Sequence, residues 1–450
     1  MFEKVLVANR GEIALRVIRS CDELGIRTVA VHSTVDRDSA PVRAADESVQ
    51  IGPPSPTRSY LNAAAVLEAA ARTGAEAIHP GYGFLSEDAF FADACENAGI
   101  TLIGPPAAVM ARLGDKTSAR ATMVQAGLPL LPGSVDPLAP EDALELANSI
   151  GYPVIVKAAA GGGGRGMRIV RRGEDFAEAY RQTQATAQLL FGDGRVYVEK
   201  YLERARHVEV QVLADGHGRV IHLGERDCTM QRRHQKLVEE TPAPRLPDGL
   251  AERICAAAVT GARAAGYVGA GTFEFLVQDG DFYFMEVNCR IQVEHPVTEV
   301  VTGIDLVREQ IRIAAGHALE LGQDEVERRG VAIECRINAE DPAADFMPTP
   351  GLLREFVPSG GPFVRVDTHA HAGYEVPPNY DSLLAKLVVW GRDREEAIGR
   401  MRRAIGEFRI EGDRVRTTGD FLRRIIDDER FRKAEHTTRL AEELARAATS

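Results

Sequence analysis

The 450 residues carry 54 Lys and Arg against 66 Asp and Glu, a net charge of -12 that works against a nucleic-acid partner held through phosphates. With 44% hydrophobic and 27% charged residues the chain has a soluble globular composition, room for two or three cores, and no apolar run long enough to cross a membrane. Cys21, Cys95, Cys228, Cys255, Cys289 and Cys335 form no C-x-x-C pair, and Met1-Phe2-Glu3-Lys4 runs straight into a strand without an export signal, so reduced thiols in a cytoplasmic protein are expected.

Lys4-Val5-Leu6-Val7-Ala8 reads as a short buried strand. A helical stretch with Ile13, Val17, Ile18, Cys21 and Leu24 on one face stops at Gly25, and Arg27 to His32 supplies a second strand, making a βαβ unit. Its first turn, Asn9-Arg10-Gly11-Glu12, lacks the G-x-G-x-x-G that a nicotinamide cofactor needs. A helix near 60–72, a strand near 76–79, the turn Pro80-Gly81-Tyr82-Gly83, a helix near 88–98 and a strand over 101–103 follow. This spacing predicts an open, mostly parallel α/β layer ending near residue 110.

The Pro- and Gly-rich run from Gly127 to Ser134 marks a boundary or hinge. Beyond it a strand ending at Lys157 leads through Ala158-Ala159-Ala160 into Gly161-Gly162-Gly163-Gly164-Arg165-Gly166. Gly161, Gly163 and Gly166 satisfy the letters of the dinucleotide fingerprint, but Met167 to Val170 reads as a strand where that fingerprint needs a helix N-terminus, and no Gly-Lys-Ser/Thr makes it a Walker loop. A plain hairpin tip and a flap whose backbone amides close over phosphates both stay open, and Lys157 favours the flap. Strands over 196–202 and 207–212 come next. The segment Glu225 to Lys236 then gathers Arg226, Arg232, Arg233, His234 and Lys236, as either a solvated face or an anion pocket.

The chemistry concentrates in Phe282 to Pro296. Every second residue from Glu286 is polar (Glu286, Asn288, Arg290, Gln292, Glu294), and Val287, Cys289, Ile291 and Val293 lie between them, so a strand would present the polar set as one row. A half-exposed strand with a solvated face can read this way. Hard oxygen donors beside a planar anion fork, however, suit a divalent cation and a small anion held side by side. Gly271 to Val277 and Phe282 to Glu294 make a hairpin around Gln278-Asp279-Gly280-Asp281. If Asp279-Gly280 alone forms the loop, Glu274 pairs with Met285 and the two glutamates, Glu274 and Glu286, fall on opposite faces; an odd loop or a bulge puts them on one face.

Lys157 with Gly161–Gly166, Glu199-Lys200-Tyr201-Leu202, Glu225 through Lys236, Gly271-Thr272-Phe273-Glu274-Phe275 and Asn288 to Glu299 together resemble the biotin carboxylase family of the ATP-grasp superfamily. The resemblance extends from Ala8-Asn9-Arg10-Gly11-Glu12-Ile13, through His79 to Glu87, to Glu334 through Pro342, and so covers nearly the whole chain. It implies an α/β and α+β chain: an N-terminal open parallel α/β domain over 1–112, a central ATP-grasp domain over 113–325 with a glycine-rich flap at 131–203, and a C-terminal antiparallel-sheet domain over 326–450. It also implies a ligase that turns ATP and bicarbonate into ADP and carboxyphosphate and passes the carboxyl group to N1′ of biotin. Bicarbonate is a poor electrophile, and phosphorylation gives it a leaving group.

By the same resemblance Lys116 and Lys157 meet the ATP phosphates, the Gly163-Gly164 backbone covers them, and Glu199, Lys200, Tyr201 and Leu202 follow the adenine edge, with His207, Gln231 and His234 further along the nucleotide. Glu274, Glu286 and Asn288 match ligands of magnesium or manganese. Lys236, Arg290, Gln292 and the Val293 amide match bicarbonate contacts, Glu294 the general base, and Arg336 the biotin contact, with Asp381 orienting it. Cys289 stands where the family frequently has Thr, on the apolar parity, and reads as a small buried hydrophobe. The implied partners are a biotin carboxyl carrier protein, carboxyltransferase subunits and a second copy of the chain. No Met-Lys-Met biotin hairpin occurs before Ser450, so one subunit of a larger carboxylase is expected, with acetyl-CoA carboxylase of fatty acid biosynthesis as the assembly.

Overall fold

The computed structural model describes residues 1–159 and 166–449. Strands β1 (Lys4–Val7), β2 (Arg27–Ser33), β3 (Glu47–Gly52), β4 (Ala77–His79) and β5 (Thr101–Leu102) form a parallel sheet in the order β3-β2-β1-β4-β5. Val5, Leu6 and Val7 are all buried because helices cover both faces. Val5 and Val7 pack with Ile13, Ala14 and Val17 of α1 (Gly11–Glu23), and Leu6 packs with Val66 and Phe91 on the other side. The open parallel layer expected from the alternation is therefore present.

A small antiparallel sheet follows, ordered β7-β6-β8 from β6 (Val154–Ala158), β7 (Met167–Val170) and β8 (Val196–Lys200). It has its own core of Val154, Val156, Phe176, Val196 and Val198. Lys157 pairs with Met167, so the glycine run joins two antiparallel strands; Gly161, Gly163 and Gly164 lie outside the described residues. The Gly127–Ser134 run straps this unit to the central body. Phe284 N–H donates to Pro129 O at 2.8 Å, Lys200 N–H to Pro132 O at 2.8 Å and Ser134 N–H to Val198 O at 2.8 Å. A Cβ at Gly133 would meet Val198 O at 2.4 Å, so this crossing requires glycine.

The central sheet has eight strands, all joined antiparallel: β13 (Asp281–Asn288), β12 (Gly269–Gln278), β9 (Arg206–Ala214), β10 (Val220–Arg232), β11 (Gln235–Thr241) and β14 (Val331–Asn338), then Leu383–Gly391 and Val364–Thr368. Its pleat sorts the sequence by parity. Val208, Val210, Val212, Phe273 and Phe275 bury on one face against Ile254, Cys255, Ala258 and Ala262 of the helix Leu250–Ala264, each side chain contributing about 1.5–3 kcal/mol. The opposite parity carries the polar side chains discussed below. The C-terminal antiparallel strands extend this sheet through the β11–β14 pairing, where Val238 opposes Cys335.

All six cysteines are free and buried. Burial pushes the Cys21 and Cys95 thiols up to about 12 and raises that of Cys289 as well. Native protein is therefore expected to resist maleimide labelling at every cysteine until denaturant exposes them; a rapidly labelled Cys289 would contradict its assignment as a packed hydrophobe.

Candidate active site

The β12–β13 hairpin resolves the parity question. Gln278 pairs with Asp281, and the loop is the two residues Asp279 and Gly280, at φ 55° and 86°. The register then shifts: Phe275 opposes Phe284 but Glu274 opposes Glu286, leaving Met285 as the extra residue of a bulge. Both carboxylates thus share one face. The row continues across the sheet, because Glu274 opposes Glu209 on β9 and Glu209 opposes Arg226 on β10.

The expected strand through Glu294 does not persist. β13 ends at Asn288, and 289–294 form a loop into the helix His295–Thr302. Two features stop it: Glu87 Oε1 accepts the Cys289 N–H at 2.8 Å, diverting the backbone, and Pro296 occupies the first helical turn. The loop still delivers the polar side chains to the same place. Arg290 donates from Nε to Glu87 at 2.8 Å and from Nη2 to Asn288 Oδ1 at 3.1 Å, and Gln292 Nε2 lies 3.3 Å from Glu274 Oε1.

A cleft of about 1250 Å³ collects Lys116, Lys157, Lys200, Tyr201, Leu202, His207, Gln231, His234, Lys236, Glu274, Glu286, Asn288, Arg290, Gln292, Val293 and Arg336. At its base the Lys236 ammonium donates to Glu209 at 2.6 Å, Glu274 at 3.0 Å and Glu294 at 2.6 Å. Burial alone would favour the neutral amine, but the three carboxylates raise it well above its ordinary value, so it stays charged. Glu294 is fully buried. Burial would raise its carboxyl, yet Lys236, Arg336 and Arg226 hold it well below the usual carboxylate range. Arg336 Nη2 lies 2.9 Å from Glu294 Oε2, and its Nε donates to Glu239 at 2.6 Å.

Glu274 is held low in the same way, by Lys236 and by His207, whose Nε2 is 3.0 Å from Oε2. Gln231 approaches the other nitrogen of His207 at 3.5 Å. His234 sits with Arg233 at the β10–β11 turn, both at positive φ (65° and 48°), an uncommon backbone for such side chains and one that clusters at functional sites.

Three of the expected residues also make contacts within the protein. Glu199 lies behind the cleft wall, where its carboxylate pairs with Lys157 Nζ at 2.6 Å and with Arg120. Buried charge must be paired, and this carboxylate holds the Lys157 ammonium in place. The Lys200 ammonium turns to the carbonyls of Gly151 and Tyr152 at 3.0 and 3.2 Å. Asp381 caps the Leu383 N–H at 2.8 Å, and the carboxylates on Arg336 are Glu239 and Glu294.

Sequence reading also missed residues that the site uses. Arg226 donates to Glu209 at 2.7 Å and Gln211 at 2.8 Å, fixing the carboxylate beside Lys236. Glu209 shares parity with His207 and Gln211, a buried polar row that was legible. Glu87 and the cleft-lining Thr438, Arg439 and Glu442 come from distant segments with no local signal.

Glu274, Glu286 and Asn288 offer oxygen atoms from one face of adjacent strands, which fits a hard divalent cation. A second set, His207, Glu209 and Glu274, also converges, but Glu209 is already held by Arg226 and Lys236.

The fold and this carboxylate-lined cationic cleft define an ATP-dependent ligase of the ATP-grasp class. The family model described as Carbamoyl-phosphate synthase L chain, ATP binding domain, matches residues 115–322, and those for the Biotin carboxylase N-terminal and C-terminal domains match 1–110 and 334–443. The chain is 54% identical over 445 residues to a Biotin carboxylase of Nostoc sp., covering 98% of this chain and 99% of that protein. It is 53% identical over 447 residues to a pyruvate carboxylase subunit of Methanothermobacter thermautotrophicus, covering 99% and 91%. Its structure matches the Hydrogenobacter thermophilus 2-oxoglutarate carboxylase biotin carboxylase domain, a dimer in complex with MgADP, ADP and bicarbonate, at TM-score 0.95 and 48% identity over 100% of this chain and 99% of that one. The chain belongs to the biotin carboxylase family.

Proposed function

We propose that this chain uses ATP to activate bicarbonate as carboxyphosphate and passes the carboxyl group to N1′ of biotin on a carrier protein. The observation that supports this most is Glu294, buried at the base of the cleft with Lys236 at 2.6 Å and Arg336 at 2.9 Å, cations that favour its charged form. Lys236, Arg290, Gln292 and the Val293 amide bind bicarbonate, and Glu294 accepts its proton. A carboxylate held so low is a weak base, so the step depends on the same cations making the anion's proton more acidic. The freed oxygen attacks the γ-phosphate of ATP and ADP leaves.

Lys116 and Lys157 neutralise the phosphates. Glu199 holds Lys157, while Lys200, Tyr201, Leu202, His207, Gln231 and His234 flank the nucleotide. Glu274, Glu286 and Asn288 would hold magnesium or manganese, which supplies charge neutralisation at the phosphates. Carboxyphosphate then gives up its carboxyl group as CO2, the phosphate that leaves takes the N1′ proton, Arg336 stabilises the biotin enolate, and N1′ attacks the CO2.

The proposed assembly is an acetyl-CoA carboxylase with separate carrier and carboxyltransferase subunits, and the chain itself a homodimer. Relatives include parts of pyruvate and 2-oxoglutarate carboxylases, so the transferase that co-purifies from the native host decides the acceptor. Free, buried cysteines suit a reducing, cytoplasmic setting, and among the described residues no helix is long and apolar enough to cross a membrane.

Purified protein with magnesium should hydrolyse ATP only when bicarbonate is supplied, and free biotin should accelerate it. ATP turnover indifferent to bicarbonate would overturn the reading. Arg336→Ala should keep nucleotide affinity while losing about 10²–10³-fold in biotin carboxylation, as expected for a group that acts on charge forming in the transition state. Loss of ATP binding in that variant would show that Arg336 serves the nucleotide.

A further inference from the structure

Behind Arg336 two glutamates face each other. Glu239 on β11 and Glu334 on β14 are register partners in an antiparallel pair, so their side chains leave the sheet on one face with Cβ atoms about 4.5–5.5 Å apart. Both are 0% exposed. Oε1 of Glu239 accepts from Arg336 Nε at 2.6 Å, whereas Oε2 of Glu239 and both oxygens of Glu334 are buried with no hydrogen-bond partner among the described residues. Adjacent buried carboxylates cannot both stay ionised cheaply, and orphaned acceptors are costly. A single proton relieves both problems.

We propose that Glu239 and Glu334 share one proton, Glu334 donating to the free oxygen of Glu239, and that this acid pair positions Arg336 beside Glu294. The inference rests on the reading of Arg336 as the biotin contact. With one proton the pair carries one negative charge against the Arg336 guanidinium, leaving Glu294 to be matched by Lys236. Burial drives the Glu334 carboxyl well above its ordinary range, against Lys386 and Arg336 and with Glu239 and Glu294, and it raises Glu239 too. The other groups that act on the pair are Lys236 from the same strand as Glu239, Cys228 from β10, Cys335 beside Glu334 on β14, Lys386 from Leu383–Gly391, and Glu294 ahead of the helix His295–Thr302. None is placed to donate to Glu334: Lys386 is committed to Val293 O at 3.0 Å and Glu12 at 3.1 Å.

Infrared difference spectra of the full chain near neutral pH, wild type against E334Q, test the shared proton directly. The wild type should show the C=O stretch of one buried carboxylic acid that E334Q removes, and E239Q should shift that band because the acid loses its charged acceptor. In turnover, E334A should lower kcat for biotin carboxylation about tenfold, with E334Q restoring it because the amide can donate in the hydroxyl's place. Absence of the band, a band indifferent to both glutamine variants, or E334Q as impaired as E334A would overturn the proposal. If E334A does not fold, the glutamine spectra still decide. If the wild type failed to carboxylate biotin, the functional reading would fall while the spectra judged the pair independently.

Discussion

Lys236→Met is expected to lower bicarbonate-dependent ATP turnover by about 10²–10³-fold and to destabilise the chain by about 3–5 kcal/mol. One ammonium holds three buried carboxylates, at 2.6, 3.0 and 2.6 Å, and methionine fills the volume without the charge. Glu209 keeps Arg226, Glu274 keeps His207 and Glu294 keeps Arg336, so the stability loss should fall at the lower end of that range. Bicarbonate loses a cation outright. Lys236→Arg separates the two effects, because a planar guanidinium restores charge but cannot aim three donors from one atom, so stability should recover more than turnover. Urea unfolding and bicarbonate titration of ATP hydrolysis measure the two quantities. A methionine variant with parental stability and bicarbonate KM would remove Lys236 from the centre of the site.

How much of this site could be read beforehand depended on whether the information was local. The alternation of Phe282 to Asn288 specified a strand, and parity alone showed that shared use of Glu274 and Glu286 needed a break in register. That break is a bulge at Met285, because Asp279-Gly280 makes a tight two-residue turn and the correction is displaced up the ladder. The alternation was misleading beyond Asn288. A tertiary bond from Glu87 to the Cys289 amide ends the strand, and nothing within the segment encodes it. Glu199 shows a second limit: its burial against Lys157 and Arg120 appears only once β6 and β8 are paired and the helix Lys116–Gln125 is docked. Likewise the join of β11 to β14 depends on pairing between residues almost 100 positions apart, such as Val238 with Cys335. Strand identity is written in neighbours; strand partners and ion pairs are fixed by the packed whole.

Protonation of His79, His295 and His369 should cost the fold stability between neutral pH and about pH 5. Each is buried. Burial lowers all three imidazoles, to about 3 for His79 and His369, with Arg16 opposing a charge on His79, Lys386 and Arg16 opposing one on His295, and Arg10 opposing one on His369. The unfolded imidazole titrates near 6.5, so between that value and the folded one the unfolded chain binds more protons. The stability contributed by these neutral imidazoles is therefore fully present above about pH 6.5 and falls as pH drops, by about 2 kcal/mol per imidazole on reaching about pH 5. His207 is raised, with burial opposed by Glu274, so its contribution is complete below its unfolded value and is lost at higher pH, outside this window. The salt-bridged carboxylates act lower still, below about 4.3. His79→Gln provides the check, since the amide oxygen can take over the bond that Nδ1 accepts from Gly81 N–H at 3.0 Å without ever gaining a charge. Glu239 and Glu334, raised above the unfolded carboxyl, bind protons on folding in this interval and oppose the loss, so the check is a difference: between about pH 7.5 and 5 His79→Gln should gain about 2 kcal/mol on wild type in urea unfolding. The same pH dependence in wild type and His79→Gln would mean that this buried imidazole gains its proton without cost.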